Sequence, residues 1–69
     1  MNATKMAAKS LRDIRMNEGI SQAELSEMSG LTQMTISTIE TGRRKPKIET
    51  VEKLAGCLGY EINIIFKKV

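Results

Sequence analysis

The sequence predicts an all-α domain that ends in one short β-strand. Three observations carry that reading. Apolar residues recur at helical spacing in separate stretches along the chain. Each stretch closes at or beside a glycine, in turn Gly19, Gly30, Gly42 and Gly59. After Gly59 the period changes: Tyr60, Ile62, Ile64 and Phe66 alternate with Glu61, Asn63, Ile65 and Lys67. That is the two-residue repeat of a strand rich in β-branched and aromatic residues. A length of 69 residues makes one domain the expectation. It divides into a helical unit, residues 1–59, and a C-terminal strand, residues 60–69. A domain this small buries only ~60% of the surface of its unfolded chain, so pairing with a second chain would add stability.

The elements follow in order. Thr4 is the N-cap expected of a first helix from Lys5 to Asn17, with Ala7, Leu11 and Ile14 at helical spacing. Gly19 supplies its C-terminal turn. Ser21 opens the second helix. Glu24, three residues on, completes a capping box, and Ile20 with Leu25 fits a hydrophobic staple. Ala23 and Leu25 are expected to face inward. The helix ends at Ser29, Gly30 makes the turn, and Leu31 is expected to be buried. Thr32 caps a third helix that runs to about Thr41. Ile36 and Ile39 are its large aliphatic residues and define its buried face. At about 100° per residue, Met34, Ser37, Thr38 and Thr41 lie roughly opposite them. Gln33 stands at the exposed N-terminal end, and the polar side carries no charge from Gln33 to Ile39. Gly42 stops this helix and Pro46 breaks the loop after it. Ile48, Val51, Leu54, Ala55 and Leu58 mark a fourth helix, closed by Gly59.

Composition removes several classes of function. Hydrophobic residues make up 41% of the chain, enough for a core and too many for disorder. No apolar run is long enough to span a membrane, and Met1 to Ala8 lacks the apolar stretch of a secretory signal. A cytoplasmic location, with no membrane contact, is expected. There is one cysteine, Cys57, and no histidine. Neither a disulfide framework nor a Cys/His zinc site can be built, so no metal and no cofactor is expected. Cys57 reads as a small core or interface residue rather than a reactive thiol. Enzymatic catalysis fares poorly: there is no histidine to act as a base, and Asp13, Glu18, Glu24, Glu27, Glu49, Glu52 and Glu61 form no spaced pair.

The net charge is +3, and its distribution is more informative than its size. Arg43, Arg44, Lys45 and Lys47 crowd the loop after the third helix, and Lys9, Arg12 and Arg15 lie on the first. Charge alone does not separate a solvated loop from a phosphate-facing patch. The arrangement of helices does. A short helix, a glycine turn and a second short helix form a helix-turn-helix. Its first helix crosses the DNA backbone and its second enters the major groove. Short polar side chains let a helix backbone approach the base edges. Gln pairs bidentately with adenine, and an apolar tip such as Met34 can meet a thymine methyl. Met34 alone fits a stray exposed apolar residue equally well. Arg43, Arg44 and Lys45 supply charge contacts to phosphates. Thr32 and Thr41, at the two ends of the third helix, are counted with them.

From Leu11 to Gly59 the chain resembles the helix-turn-helix domain of the Cro/Xre class of phage and bacterial regulators. The resemblance rests on "SQAEL", the turn "SGLT", the "TIS-IE-GRRKP" pattern and the closing "LA--LG" taken together. It implies a compact bundle of four or five helices. It implies a phosphate contact by Gln22. It assigns base contacts to Gln33, Met34 and Thr38, with Ser37 beside them. It pairs Arg15, at the end of the first helix, with Glu40 of "IE". The family usually carries Ala where this chain has Ser26. That hydroxyl is expected to bond a carbonyl one turn back.

The reading is therefore a sequence-specific regulator that occupies a palindromic operator on double-stranded DNA as a homodimer, with repression the expected outcome. Activation stays open. Two settings fit: a phage or mobile-element repressor, or the antitoxin of a toxin–antitoxin operon, which adds a toxin protein as partner. The alternating segment is expected to be the dimer contact, through Tyr60, Ile62, Ile64 and Phe66. Its strand would pair antiparallel with its copy in the second chain, because the rest of the chain offers no strand to pair with.

Overall fold

The computed structural model describes residues 11–62 and Lys68. Thr4, the helical stretch expected before Leu11, and Ile64 and Phe66 of the expected strand lie outside the described residues. Four helices are described: α1 over residues 11–17, α2 Gln22–Ser29, α3 Gln33–Glu40 and α4 Ile48–Cys57. Thr41, expected as the last residue of the third helix, is the C-cap of α3.

Each start and stop has a local cause. Gly19 adopts φ +69°, and the N–H of Ile20 donates to the carbonyl of Arg15 at 3.1 Å, closing the end of α1. The capping box of α2 is present in both directions. The Glu24 N–H donates to Ser21 Oγ at 3.0 Å, and the Ser21 N–H donates to Glu24 Oε1 at 3.2 Å. Gly30 takes φ +77°, which costs a residue with a Cβ about 1–2 kcal/mol. Thr32 caps α3 by accepting the Thr35 N–H at 3.1 Å. Lys47, the N-cap of α4, has no such side-chain bond.

α2 packs against both α3 and α4. The core is Leu11, Leu25, Ile36, Ile39, Leu54 and Leu58, with Ile14, Ile20, Leu31, Cys57 and Tyr60 packed around it. Full burial of each such aliphatic side chain contributes about 1.5–3 kcal/mol. Two expectations about facing are corrected. Ala23 is exposed: it lies about 200° around the helix from Leu25, and Ser29, one turn after Leu25, takes the inward position instead. Ile48 is 44% exposed. As the first residue of α4 it reaches only the rim of the core. There it lines an open apolar groove with Leu11, Ile14, Val51, Tyr60 and Ile62.

Ser26 also departs from expectation. Its hydroxyl donates forward to the carbonyl of Leu31 at 2.6 Å, not back along α2. The Leu31 N–H in turn donates to Ser29 Oγ at 3.2 Å. The two serines thus satisfy both backbone groups of Leu31, and so hold the turn between α2 and α3.

Candidate DNA interface

α3 presents its polar side to solvent because Ile36 and Ile39 are pinned in the core, at 0% and 1% exposure. Met34 on the outer side is 77% exposed. Gln33 is exposed, and Ser37 and Thr38 are half-buried. These four residues, with Gln22 and Arg43, line one shallow concavity. The expected base contacts therefore share a surface with one expected phosphate contact from α2 and one from the loop.

The basic loop divides. Its start is tied to α3: the N–H groups of Arg43 and Arg44 both donate to the Thr38 carbonyl, at 3.0 and 3.3 Å. Arg43 joins the surface around Met34. Arg44 and Lys45 line a separate concavity with Pro46, Lys47 and Thr50, beside Leu31, Thr35 and Ile39. All three expected basic contacts are exposed. They cover two sides of α3 rather than one patch.

The threonines are partly committed to the helix. Thr38 Oγ1 donates to the Thr35 carbonyl at 2.9 Å. Thr41 Oγ1 donates to the carbonyls of Ser37 and Thr38, at 3.0 and 3.2 Å. Thr32 Oγ1 donates to Thr35 Oγ1 at 2.8 Å. Each keeps lone pairs as acceptors and a methyl group for apolar contact. A bond donated by Thr41 to a phosphate requires its proton to be redirected.

Behind this surface lies a buried ion pair. Arg15 Nε donates to Glu40 Oε2 at 2.7 Å, and Nη2 donates to Oε1 at 3.0 Å. The third arm of the guanidinium, Nη1, donates to the Ile20 carbonyl at 2.7 Å. The two side chains are 10% and 2% exposed. The hydrogen bonds to Glu40 hold the Arg15 guanidinium above its usual range; burial opposes this and the charge of Glu40 adds to it. The pair expected from the resemblance is therefore present, and it ties the end of α1 to the end of α3.

Two contacts escaped the sequence reading. Gln22 Nε2 donates to Glu40 Oε1 at 3.0 Å, across 18 positions. Tyr60 Oη donates to Glu18 Oε1 at 3.0 Å, and the Tyr60 N–H donates to the Ala55 carbonyl at 2.9 Å. Residues 60–62 are irregular backbone, and no strand occurs among the described residues. Tyr60, expected at the dimer contact, packs one side of its half-buried ring on its own core. It follows Gly59, whose φ of +84° turns the chain back toward α1. Ile62 is half-buried in the groove beside Ile48.

Among the described residues no group of three or more His, Cys, Asp and Glu side chains could hold a metal. No described helix is long and apolar enough to cross a membrane.

A capped helix, a glycine turn and a second helix with an uncharged outer face define a helix-turn-helix domain. Residues 11–65 match the helix-turn-helix family. The chain is 40% identical over 60 residues to the HTH-type transcriptional regulator PuuR of Escherichia coli, a match covering 87% of this chain and 32% of PuuR. It is 37% identical over 57 residues to the cryptic phage CTXphi transcriptional repressor RstR of Vibrio cholerae, covering 83% of this chain and 51% of RstR. It is 34% identical over 59 residues to the HTH-type transcriptional regulator y4dJ of Sinorhizobium fredii, covering 86% of this chain and 77% of that one. The chain belongs to the helix-turn-helix family of DNA-binding transcriptional regulators, in its Cro/Xre branch. It spans about a third of the length of PuuR.

Proposed function

We propose that this chain binds double-stranded DNA sequence-specifically and represses transcription by occupying a palindromic operator. The observation that carries the reading is the outer face of α3. Gln33, Met34, Ser37 and Thr38 share one concavity with Gln22 and Arg43. The face is narrow, uncharged at its centre and basic at its rim. The major groove, about 12 Å wide, admits such a helix. Base edges then meet the central side chains, and phosphates meet Arg43 on one side and Arg44 and Lys45 on the other. The site acts by occupancy, and its chemistry needs no cofactor. Selecting bound duplexes from a random DNA library tests the reading. A defined consensus is expected, and a wild-type chain that retained all sequences equally would overturn it.

One domain offers too few contacts for tight binding, and helix-turn-helix regulators read half-sites about 34 Å apart as dimers. The dimer contact in this reading begins at Ile62 and continues through Ile64 and Phe66. Tyr60 is left to its own domain, because its hydroxyl serves Glu18. Truncation after Glu61 keeps Tyr60, removes Ile62 and everything beyond it, and isolates the question. A truncated chain that remained dimeric by light scattering would sink this assignment.

The phage or mobile-element setting is favoured, since RstR is named a phage repressor. A toxin gene beside this one would decide instead for an antitoxin that represses its own promoter. Either setting places the protein in the cytoplasm, with the DNA it reads.

A further inference from the structure

We propose that Glu40 is a positioning residue for DNA contact: its carboxylate holds the Gln22 amide with the nitrogen inward, so that Gln22 meets DNA in one fixed orientation. This rests on the reading of the α3 face as a DNA-binding surface.

The Glu40 side chain is 2% exposed, and a carboxylate is an acceptor only. It accepts Arg15 Nε at 2.7 Å, Arg15 Nη2 at 3.0 Å and Gln22 Nε2 at 3.0 Å. A free Gln side chain presents nitrogen or oxygen equally well. One facing a buried carboxylate must present nitrogen. The carboxylate cannot swing away, because both of its oxygens are held by a guanidinium whose third arm is fixed to the Ile20 carbonyl at 2.7 Å. Order therefore passes from the end of α1, through Arg15 and Glu40, to the first residue of α2. Gln22 is half-buried and lines the concavity with Gln33, Met34 and Arg43. Its nitrogen has a second N–H, and a donor set in advance at the rim of that surface suits a phosphate oxygen. Gln has among the largest side-chain rotamer entropies, and here that entropy is lost on folding rather than on binding. The same pairing explains how a carboxylate can sit on the recognition helix at all. Arg15 cancels its charge before any phosphate approaches.

The test is a double-mutant cycle on affinity for a selected duplex, read by fluorescence anisotropy at 10 °C after circular dichroism has established that each variant is folded. The variants are Gln22→Met, which keeps length and loses the amide, Glu40→Gln, and the two together. Glu40→Gln is expected to weaken binding about tenfold when Gln22 is present, and less than about twofold in the Gln22→Met background, a coupling typical of residues in one network. Equal losses in both backgrounds would mean that Glu40 acts only through the fold, and would overturn the proposal. If Glu40→Gln does not fold, the wild type still decides. Side-chain ¹⁵N relaxation of the Gln22 amide should be as restricted as the backbone in the absence of DNA, whereas that of exposed Gln33 should be mobile. Equal mobility would overturn the proposal. Failure of the wild-type chain to bind duplex DNA would instead overturn the underlying reading.

Discussion

Replacing Glu40 with Ala should destabilise this domain more than any change to an exposed carboxylate. The substitution removes both bonds from Arg15 and the one from Gln22. It leaves a guanidinium that is buried and held only by the Ile20 carbonyl. Breaking a buried pair from one side costs ~3–5 kcal/mol, because the surviving charge stays desolvated and uncompensated. A chain of 69 residues has a total stability of roughly 3.5–10 kcal/mol at the usual stability per residue. The loss is therefore between a third of the stability and all of it. At ~4–8 °C per kcal/mol for a domain of this size, even the lower cost moves the melting temperature down by roughly 12–24 °C. Glu49 is the control. It is exposed in the first turn of α4 and accepts no side-chain hydrogen bond among those described. Glu49→Ala should shift the melting temperature by no more than about 4 °C. Thermal melts followed by circular dichroism in one buffer make the comparison. Melting temperatures within error of each other would refute the claim that the pair is buried and coupled. A further arm separates charge from volume: the double variant Arg15→Met/Glu40→Leu should be more stable than either single variant, since it leaves no buried charge behind. The alkaline side offers no escape from the cost. The folded-state pKa of Arg15 is raised, so its contribution is fully present below the unfolded value and is lost only above the folded one, beyond any pH at which the domain is handled.

Four further outcomes are expected. Gln33→Ala should cost ~1–3 kcal/mol on the selected operator and little on random duplex, and equal losses on both would remove its base-reading role. Arg44→Ala or Lys45→Ala should weaken binding to all sequences and reduce the salt slope by about one each, measured as log K against log salt. Ser26→Ala should cost ~1 kcal/mol, a fall of ~4–8 °C in melting temperature, through loss of its bond to the Leu31 carbonyl. Gly30→Ala should cost a similar ~1–2 kcal/mol through its φ of +77° alone, since nothing lies within 4 Å of the position its Cβ would take.

The parts of this fold that depend on neighbours in sequence were legible. The Ser21–Glu24 box, the Thr32 cap and the glycine stops are decided within four residues, where spacing and chemistry leave few alternatives. The two inward isoleucines of α3 were legible because the rest of that helix offers nothing else to bury. Where the sequence reading failed, the deciding partner was distant or the residue stood at an end. Ile48 has the right phase for the core but is the first residue of its helix, so only its rim is within reach. Ala23 is small enough to be either in or out, and its phase relative to Leu25 decides for out. Ser26 was expected to bond within its own helix, because nothing in the spacing reveals that the chain after Gly30 returns a carbonyl to within 2.6 Å of its hydroxyl.

The Arg15–Glu40 pair spans 25 positions and the Gln22–Glu40 bond spans 18. No period or spacing carries such contacts, and only the resemblance to known regulators pointed to the first. The second was invisible for a further reason. A glutamine at the start of a helix already has a sufficient role as an exposed polar residue, so nothing about it asks for a partner. Yet the two contacts follow from one packing event. Once Ile36 and Ile39 enter the core, Glu40 must follow them inward, and a carboxylate buried there needs donors from the elements it meets. α1 supplies two arms of a guanidinium and α2 supplies one amide. α3 is therefore tied to α1 and α2 at its C-terminal end by polar contacts from Glu40 as well as by the apolar packing of Ile39. Its outer face stays free of structural duty, and so Gln33 and Met34 can be changed without a cost to folding.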